Sequence, residues 1–199
     1  MSVRVKVWSL VALVLMVFAA AGCGGSSPAP SPVTPSQEAG DLNALAPAAA
    51  AVKRLELQSS YRAAVVLESE GGDKIEGSFE YVAPDRFHIF IQGSIPIEMT
   101  RIGPTAYVKS AGSWQQTEPT FLPFTPEDII RQLGTLSGRL GEAHADAGGC
   151  IPSQDGSKDT VFCLDSKGRL RTVGFRDGIT KVRIDFKDFD ANIEIKSPL

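Results

Sequence analysis

The chain of 199 residues has few of the groups from which catalytic centres and metal sites are built. It carries only two histidines and three cysteines. It has no G-x-S-x-G elbow, no phosphate-binding P-loop, no H-E-x-x-H and no C-x-x-C, so the usual nucleophile, nucleotide, zinc and redox signatures are missing. It has no basic excess either: 20 Lys and Arg face 23 Asp and Glu, a formal charge of −3. That leaves nothing to neutralise a phosphate backbone and argues against nucleic acid as a partner. An apolar content of 43% with 22% charge excludes both a polytopic membrane protein and a wholly disordered one. These absences point to a non-enzyme, without cofactor or metal, built as a single monomeric domain.

The N-terminus is the most informative part. Arg4 and Lys6 precede an apolar stretch from Val7 to Ala21. At 15 residues it is shorter than the roughly 20 needed to span a bilayer. A basic start, a short apolar section and the small residues Ala19, Ala20, Ala21 and Gly22 make a secretory signal peptide over residues 1–22. The run Ala20-Ala21-Gly22-Cys23 resembles the bacterial lipobox. That resemblance implies that Cys23 is lipidated with diacylglyceryl and a further acyl group (palmitate-type chains) and becomes the mature N-terminus. Two or more chains anchor a protein stably where one does not. The expected location is therefore exported, on the outer face of the cytoplasmic membrane or on an outer membrane. Removing the leader deletes Arg4 and Lys6 but no acid, taking the formal charge from −3 to −5.

Assigning Cys23 to lipid leaves Cys150 and Cys163, which in an oxidising compartment are expected to form a disulfide. The polar stretch between them, with Asp155-Gly156, suits a hairpin. Residues 23–40 then form the anchor and a tether: Pro28, Pro30, Pro32 and Pro35 lie among Ser, Ala and Thr, with no periodicity. As polyproline II the tether would reach about 50 Å at roughly 3.1 Å per residue. Residues 41–199 are the folded domain.

From Tyr61 the pattern has a period of two. Tyr61, Ala63, Val65 and Leu67 share one face of a strand; Ile75, Gly77, Phe79 and Tyr81 one face of the next. Phe87, Ile89 and Ile91, then Ile95, Ile97 and Met99, and later Val182, Ile184 and Phe186, continue the alternation. With short Gly-containing connections, this reads as antiparallel hairpins with one buried and one wet face. Thr125-Pro126-Glu127-Asp128 opens a helix, and Ile129, Leu133, Leu136 and Leu140 form its apolar stripe up to Gly141. Gly134 and Gly138 inside it either let the helix yield or let it pack closely on the sheet. A second helix is expected over Leu45 to Leu57. The layout is helix, five or six strands, helix, then four or five strands. His144 with Asp146, and His88 beside Arg86, are expected to be surface groups rather than ligands.

Several stretches, in order over residues 55–198, resemble the LolA-like lipoprotein carriers, nearest the lipid-binding envelope lipoproteins of the LppX/LprG type. They are Ser60-Tyr61-Arg62; Gly77 to Phe87 with its Ala83-Pro84-Asp85 turn; Ile102-Gly103 with Tyr107 and Trp114; Leu164 to Leu170; and what resembles a closing hairpin, Val182 to Phe189 ending in Ile193 to Pro198. The resemblance implies an α+β fold: a half-open antiparallel β-barrel, or large curved sheet, with helices covering its concave apolar face. It implies a ligand cavity there for lipid or an acylated molecule, lined by Val65, Leu67, Phe79, Tyr81, Phe87, Ile89, Ile91, Ile97, Met99, Tyr107, Ile129, Leu133 and Leu136. Binding or transfer of lipid is the function implied. The alternative is an envelope sensor or scaffold that uses the same fold to contact a protein partner.

Overall fold

The structure is a computed structural model, and it describes residues 45–93, 96–119, 125–153 and 159–199. The leader, Cys23 and the tether lie outside the described residues. The described residues form two α-helices and ten strands, α1 (Pro47–Glu56), β1 (Ser60–Ser69), β2 (Lys74–Val82), β3 (Arg86–Gln92), β4 (Ile97–Ile102), β5 (Thr105–Ser110), β6 (Ser113–Thr117), α2 (Pro126–Leu140), β7 (Cys150–Pro152), β8 (Val161–Leu164), β9 (Leu170–Asp177) and β10 (Thr180–Lys187). All ten strands join one antiparallel sheet in the order β6-β5-β4-β3-β2-β1-β10-β9-β8-β7. The sheet is curved and does not close, since β6 and β7 stay at opposite edges. Two meanders, β1 to β6 and β7 to β10, meet at a single seam between β1 and β10.

Local sequence explains the turns. Gly103-Pro104 is a two-residue connection pairing Ile102 with Thr105, and Ala111-Gly112 does the same between Ser110 and Ser113. Both Ala111 and Gly112 have positive φ, 50° and 84°, as a tight hairpin of this hand requires. The Asp165 carboxylate accepts the N–H groups of Lys167 (2.8 Å) and Arg169 (2.9 Å) and the Arg169 guanidinium (2.7 Å), which fixes the turn from β8 to β9.

Helix α2 starts as its sequence predicts. Thr125 accepts from the Asp128 N–H, and the Asp128 carboxylate accepts the Thr125 N–H at 2.9 Å, a full capping box. Its buried positions Leu133, Leu136 and Leu140 join Ala48, Ala51, Val52 and Leu55 of α1 in one hydrophobic cluster with Tyr61, Phe79, Phe87, Ile89 and Met99. Gly134 and Gly138 are on the exposed side, and a Cβ at either would touch nothing within 4 Å. Close packing on the sheet is therefore not why these glycines are there.

Two expectations need correction. Residues Ile193 to Pro198 are not part of a hairpin; β10 ends at Lys187 and the chain continues without strand pairing. This tail is tied to the start of β1: the Ser60 hydroxyl donates to the Ala191 carbonyl at 2.6 Å, and Asp190 N–H donates to the Ser60 carbonyl at 2.9 Å. Ile193 and Ile195 are buried although they have no ladder partners. Tyr107 does not lie on the inner face. The Gly103-Pro104 turn places it abreast of Thr100 and Gln116, so Ala106 and Val108 point inward instead.

Candidate functional site

The register lays the inner face out in rows that cross the strands. Phe186, Ala63, Phe79, Ile89 and Met99 lie abreast on β10, β1, β2, β3 and β4. Their exposures run from 1% to 5%, so this row is closed. On its helix side sit Tyr61, Tyr81 and Phe87, with the Tyr61 ring centroid 5.8 Å from Phe79 and 5.2 Å from Tyr81. Burial, then the nearby Tyr81 and Glu127, pushes the Tyr61 phenol well above the usual tyrosine range. Leu133 and Leu136 of α2 are buried and belong to the same hydrophobic cluster as these residues.

Two residues further along each strand, toward the β1–β2 and β9–β10 hairpin tips, the burial changes. Ile184, Val65, Gly77, Ile91 and Ile97, on β10 to β4, form the next row and are each partly exposed, whereas the β9 residue abreast of them, Val173, is fully buried. Beyond it Phe175, Val182, Leu67 and Ile75 form another, again partly exposed. The inner face is thus an apolar surface with a packed half and an open half.

The thirteen residues expected to line a cavity divide by burial. Phe79, Phe87, Ile89, Met99, Leu133 and Leu136 are buried in the packed half. Partial exposure is found for Val65, Leu67, Tyr81, Ile91, Ile97 and Ile129. Tyr107 belongs to the opposite face. Sequence reasoning overlooked Ile75, Gly77, Phe175, Val182 and Ile184 as lining, though four of the five lay on strands whose alternation was legible.

The opposite face is mixed, with Arg62, Glu80, His88, Glu98 and Lys109 among Val66, Phe90 and Tyr107. The His88 Nε2 lies 3.2 Å from Glu98, whose carboxylate also accepts from Lys109 Nζ at 2.8 Å. The Lys109 hydrogen bond, followed by that of His88, outweighs burial and holds Glu98 below the usual carboxylate range. A hollow of about 240 Å³ is bounded here by Glu80, His88, Glu98 and Thr100 and by Glu194, Ile195 and Lys196 of the tail. Lys109 also lies over the Trp114 ring, 5.5 Å from its centroid. Asp146, paired in sequence with His144, spends its carboxylate on the N–H groups of Gly148 (2.8 Å) and Cys150 (2.9 Å). Among the described residues no group of three or more His, Cys, Asp or Glu is placed to hold a metal. Cys150 and Cys163 face each other across β7 and β8 and form a disulfide. No helix among the described residues is long and apolar enough to cross a membrane.

Neither a protein-family profile nor a curated protein sequence matches the chain. Solved structures do. LprF from Mycobacterium bovis aligns with a TM-score of 0.51 at 14% identity, over 83% of this chain and 99% of LprF. The fold is similar to that of LprF. The Mycobacterium tuberculosis lipoprotein LppX aligns at 14% identity with a TM-score of 0.43, over 73% of this chain and 94% of LppX. A DUF1329 family protein from Desulfovibrio piger aligns at 10% identity with a TM-score of 0.32, over 82% of this chain and 96% of its own. The likeness to lipoproteins of the LppX/LprG type, read from the sequence, stands at the level of fold.

Proposed function

We propose that this chain is an exported lipoprotein, anchored through Cys23, that holds lipid or another acylated molecule against the apolar inner face of its sheet. Helices α1 and α2 serve as a partial roof, and the tether of residues 23–40 lets the domain reach away from the membrane surface. The observation that carries this reading is the change in burial across the inner face. An evolved core normally buries its apolar positions throughout. Here, beyond a closed row, the next apolar row stays partly exposed from β10 to β4, and the one after it from β9 to β2. The likeness in fold to LprF and the lipobox-like run supply independent support.

Energetics shape what such a protein does. Burying a 16-carbon chain from water is worth about 12 kcal/mol at about 0.8 kcal/mol per methylene. A bilayer offers nearly the same. The protein therefore acts by shielding the chain outside the membrane and easing its exit, and needs no energy source of its own.

Denaturing solvent extraction of the purified protein, followed by mass spectrometry, tests the reading. Reproducible acyl species are expected, at stoichiometry that survives washing. A domain without them that also takes up no added lipid rejects lipid binding and leaves the envelope sensor or scaffold as the working function. Anchoring is tested separately: metabolic labelling with a tagged palmitate marks the wild type, and Cys23→Ser removes the mark.

A further inference from the structure

We infer that the acyl guest lies across the strands in the open half of the inner face, over β10, β1, β2, β3 and β4, and not between the packed half and the helices. This rests on the lipid-binding reading above and gives it a place, an orientation and a ligand class: one extended aliphatic chain of about leaflet length.

The packed half has no space to offer. Phe79, Ile89 and Met99 are 4%, 2% and 1% exposed and share one cluster with Leu133, so a chain could enter only by displacing them. The open half is different. Its longest partly exposed row runs from Ile184 on β10 to Ile97 on β4, four inter-strand steps, or about 19 Å at about 4.8 Å each. One leaflet of a bilayer is about 15 Å of hydrocarbon, half of a core about 30 Å thick. A leaflet-length chain fits within that row.

Gly77 stands between Val65 and Ile91 in this row, where the Phe90 carbonyl oxygen and Ile91 Cγ1 already crowd the space a Cβ would take, at 2.9 Å and 3.4 Å. The chemistry of the row also selects the guest. Its residues carry no charge, and strands β10, β1, β2 and β3 already bond neighbours on both sides. A peptide laid there would bring backbone N–H and C=O groups that find no partner, whereas an alkyl chain brings none.

The test uses the whole mature chain in lipid nanodiscs and a palmitate carrying a mid-chain diazirine. After irradiation, labelled peptides are expected to contain Val65, Ile91 or Ile184. Val65→Trp and Ile91→Trp fill the open row and are expected to lower labelling at least tenfold. Ser78→Trp, on the opposite face of the same sheet, leaves labelling unchanged. Affinity for free saturated fatty acids should rise roughly fourfold per added methylene from laurate to palmitate. Labels that map to Phe79, Ile89, Met99 or Leu133 overturn this placement while leaving lipid binding intact. An affinity that does not rise from laurate to palmitate also overturns it, because the site would be shorter than the open row. No labelling, together with no co-extracted acyl species, removes the lipid-binding reading itself. The wild-type label map stands without the variants, so a variant that misfolds does not weaken the test.

Discussion

The Asp165 carboxylate shows how a single residue sets conditions for the whole domain. Burial by itself would raise its pKa, but hydrogen bonds from Arg169 and from the Lys167 N–H win, and the group sits below the usual aspartate range. Asp185, bonded by Arg183 and Thr172 against the same opposing effect of burial, is lowered too. A carboxylate whose folded pKa lies below its unfolded value of about 3.9 contributes stability that is complete above that value and lost as pH falls through the folded one. Denaturation midpoints are therefore expected to hold steady down to about pH 4 and drop below it. Asp165→Asn should lower the plateau and flatten the acid limb; an unchanged acid limb would mean that this carboxylate is not held down in the folded state. The disulfide is a second residue-scale lever. It closes a loop with a sequence separation of 13, worth up to about 3 kcal/mol in the chain-entropy model. Cys163→Ser should lower unfolding stability by up to that amount in a urea titration, and alkylation without reductant should find no free thiol at either position in the wild type.

Among the elements, α2 gives the sharpest expectations. Thr125→Ala removes one side of the capping box and should cost about 1 kcal/mol. Gly134→Ala and Gly138→Ala should each stabilise by up to about 1 kcal/mol, since both positions are exposed, helical and sterically open. If yielding of this helix serves the guest, the same pair should slow lipid exchange while raising the melting temperature; unchanged exchange would assign the glycines no part in it. The helix was legible from its cap, its Pro and its stripe because all three are local. The strands were legible for the same reason, since alternation needs only one face to be wet. What local pattern does not contain is the face a residue takes when both parities are apolar. Ala106, Tyr107 and Val108 are such a run, and the ring of Tyr107 is the largest of the three. The two-residue turn before them decides the parity, and it puts the small residues inside. Ile193 and Ile195 mislead in a related way: they alternate and are buried, but alternation reports a covered face and says nothing of hydrogen bonding. The packed and open halves were not legible either. Val65 and Ile89 read alike in sequence, yet Val65 is partly exposed and Ile89 is buried, a difference set by what packs over each from far along the chain.

At the level of the whole domain, the order of the strands matters more than their number. Substitutions in the closed row should be costly, with Phe79→Ala expected to lose about 3–5 kcal/mol. Ile91→Ala in the open row should lose clearly less, because its site is already partly exposed. Equal losses would mean that both halves are packed alike. The first and last strands, meanwhile, are neighbours at the centre of the sheet. Every other pairing joins strands that follow each other in the chain, so the two meanders can form early, but the zip between them waits for β10. With synthesis at about 5–20 residues per second, β1 emerges roughly 6–24 s before its second partner does. During that interval its outer edge is unpaired and its greasy side uncovered. Such a chain gains from a helper that keeps it unfolded until its last residues have arrived, and a stop codon even a short way before β10 would leave two half-sheets with no seam to join them.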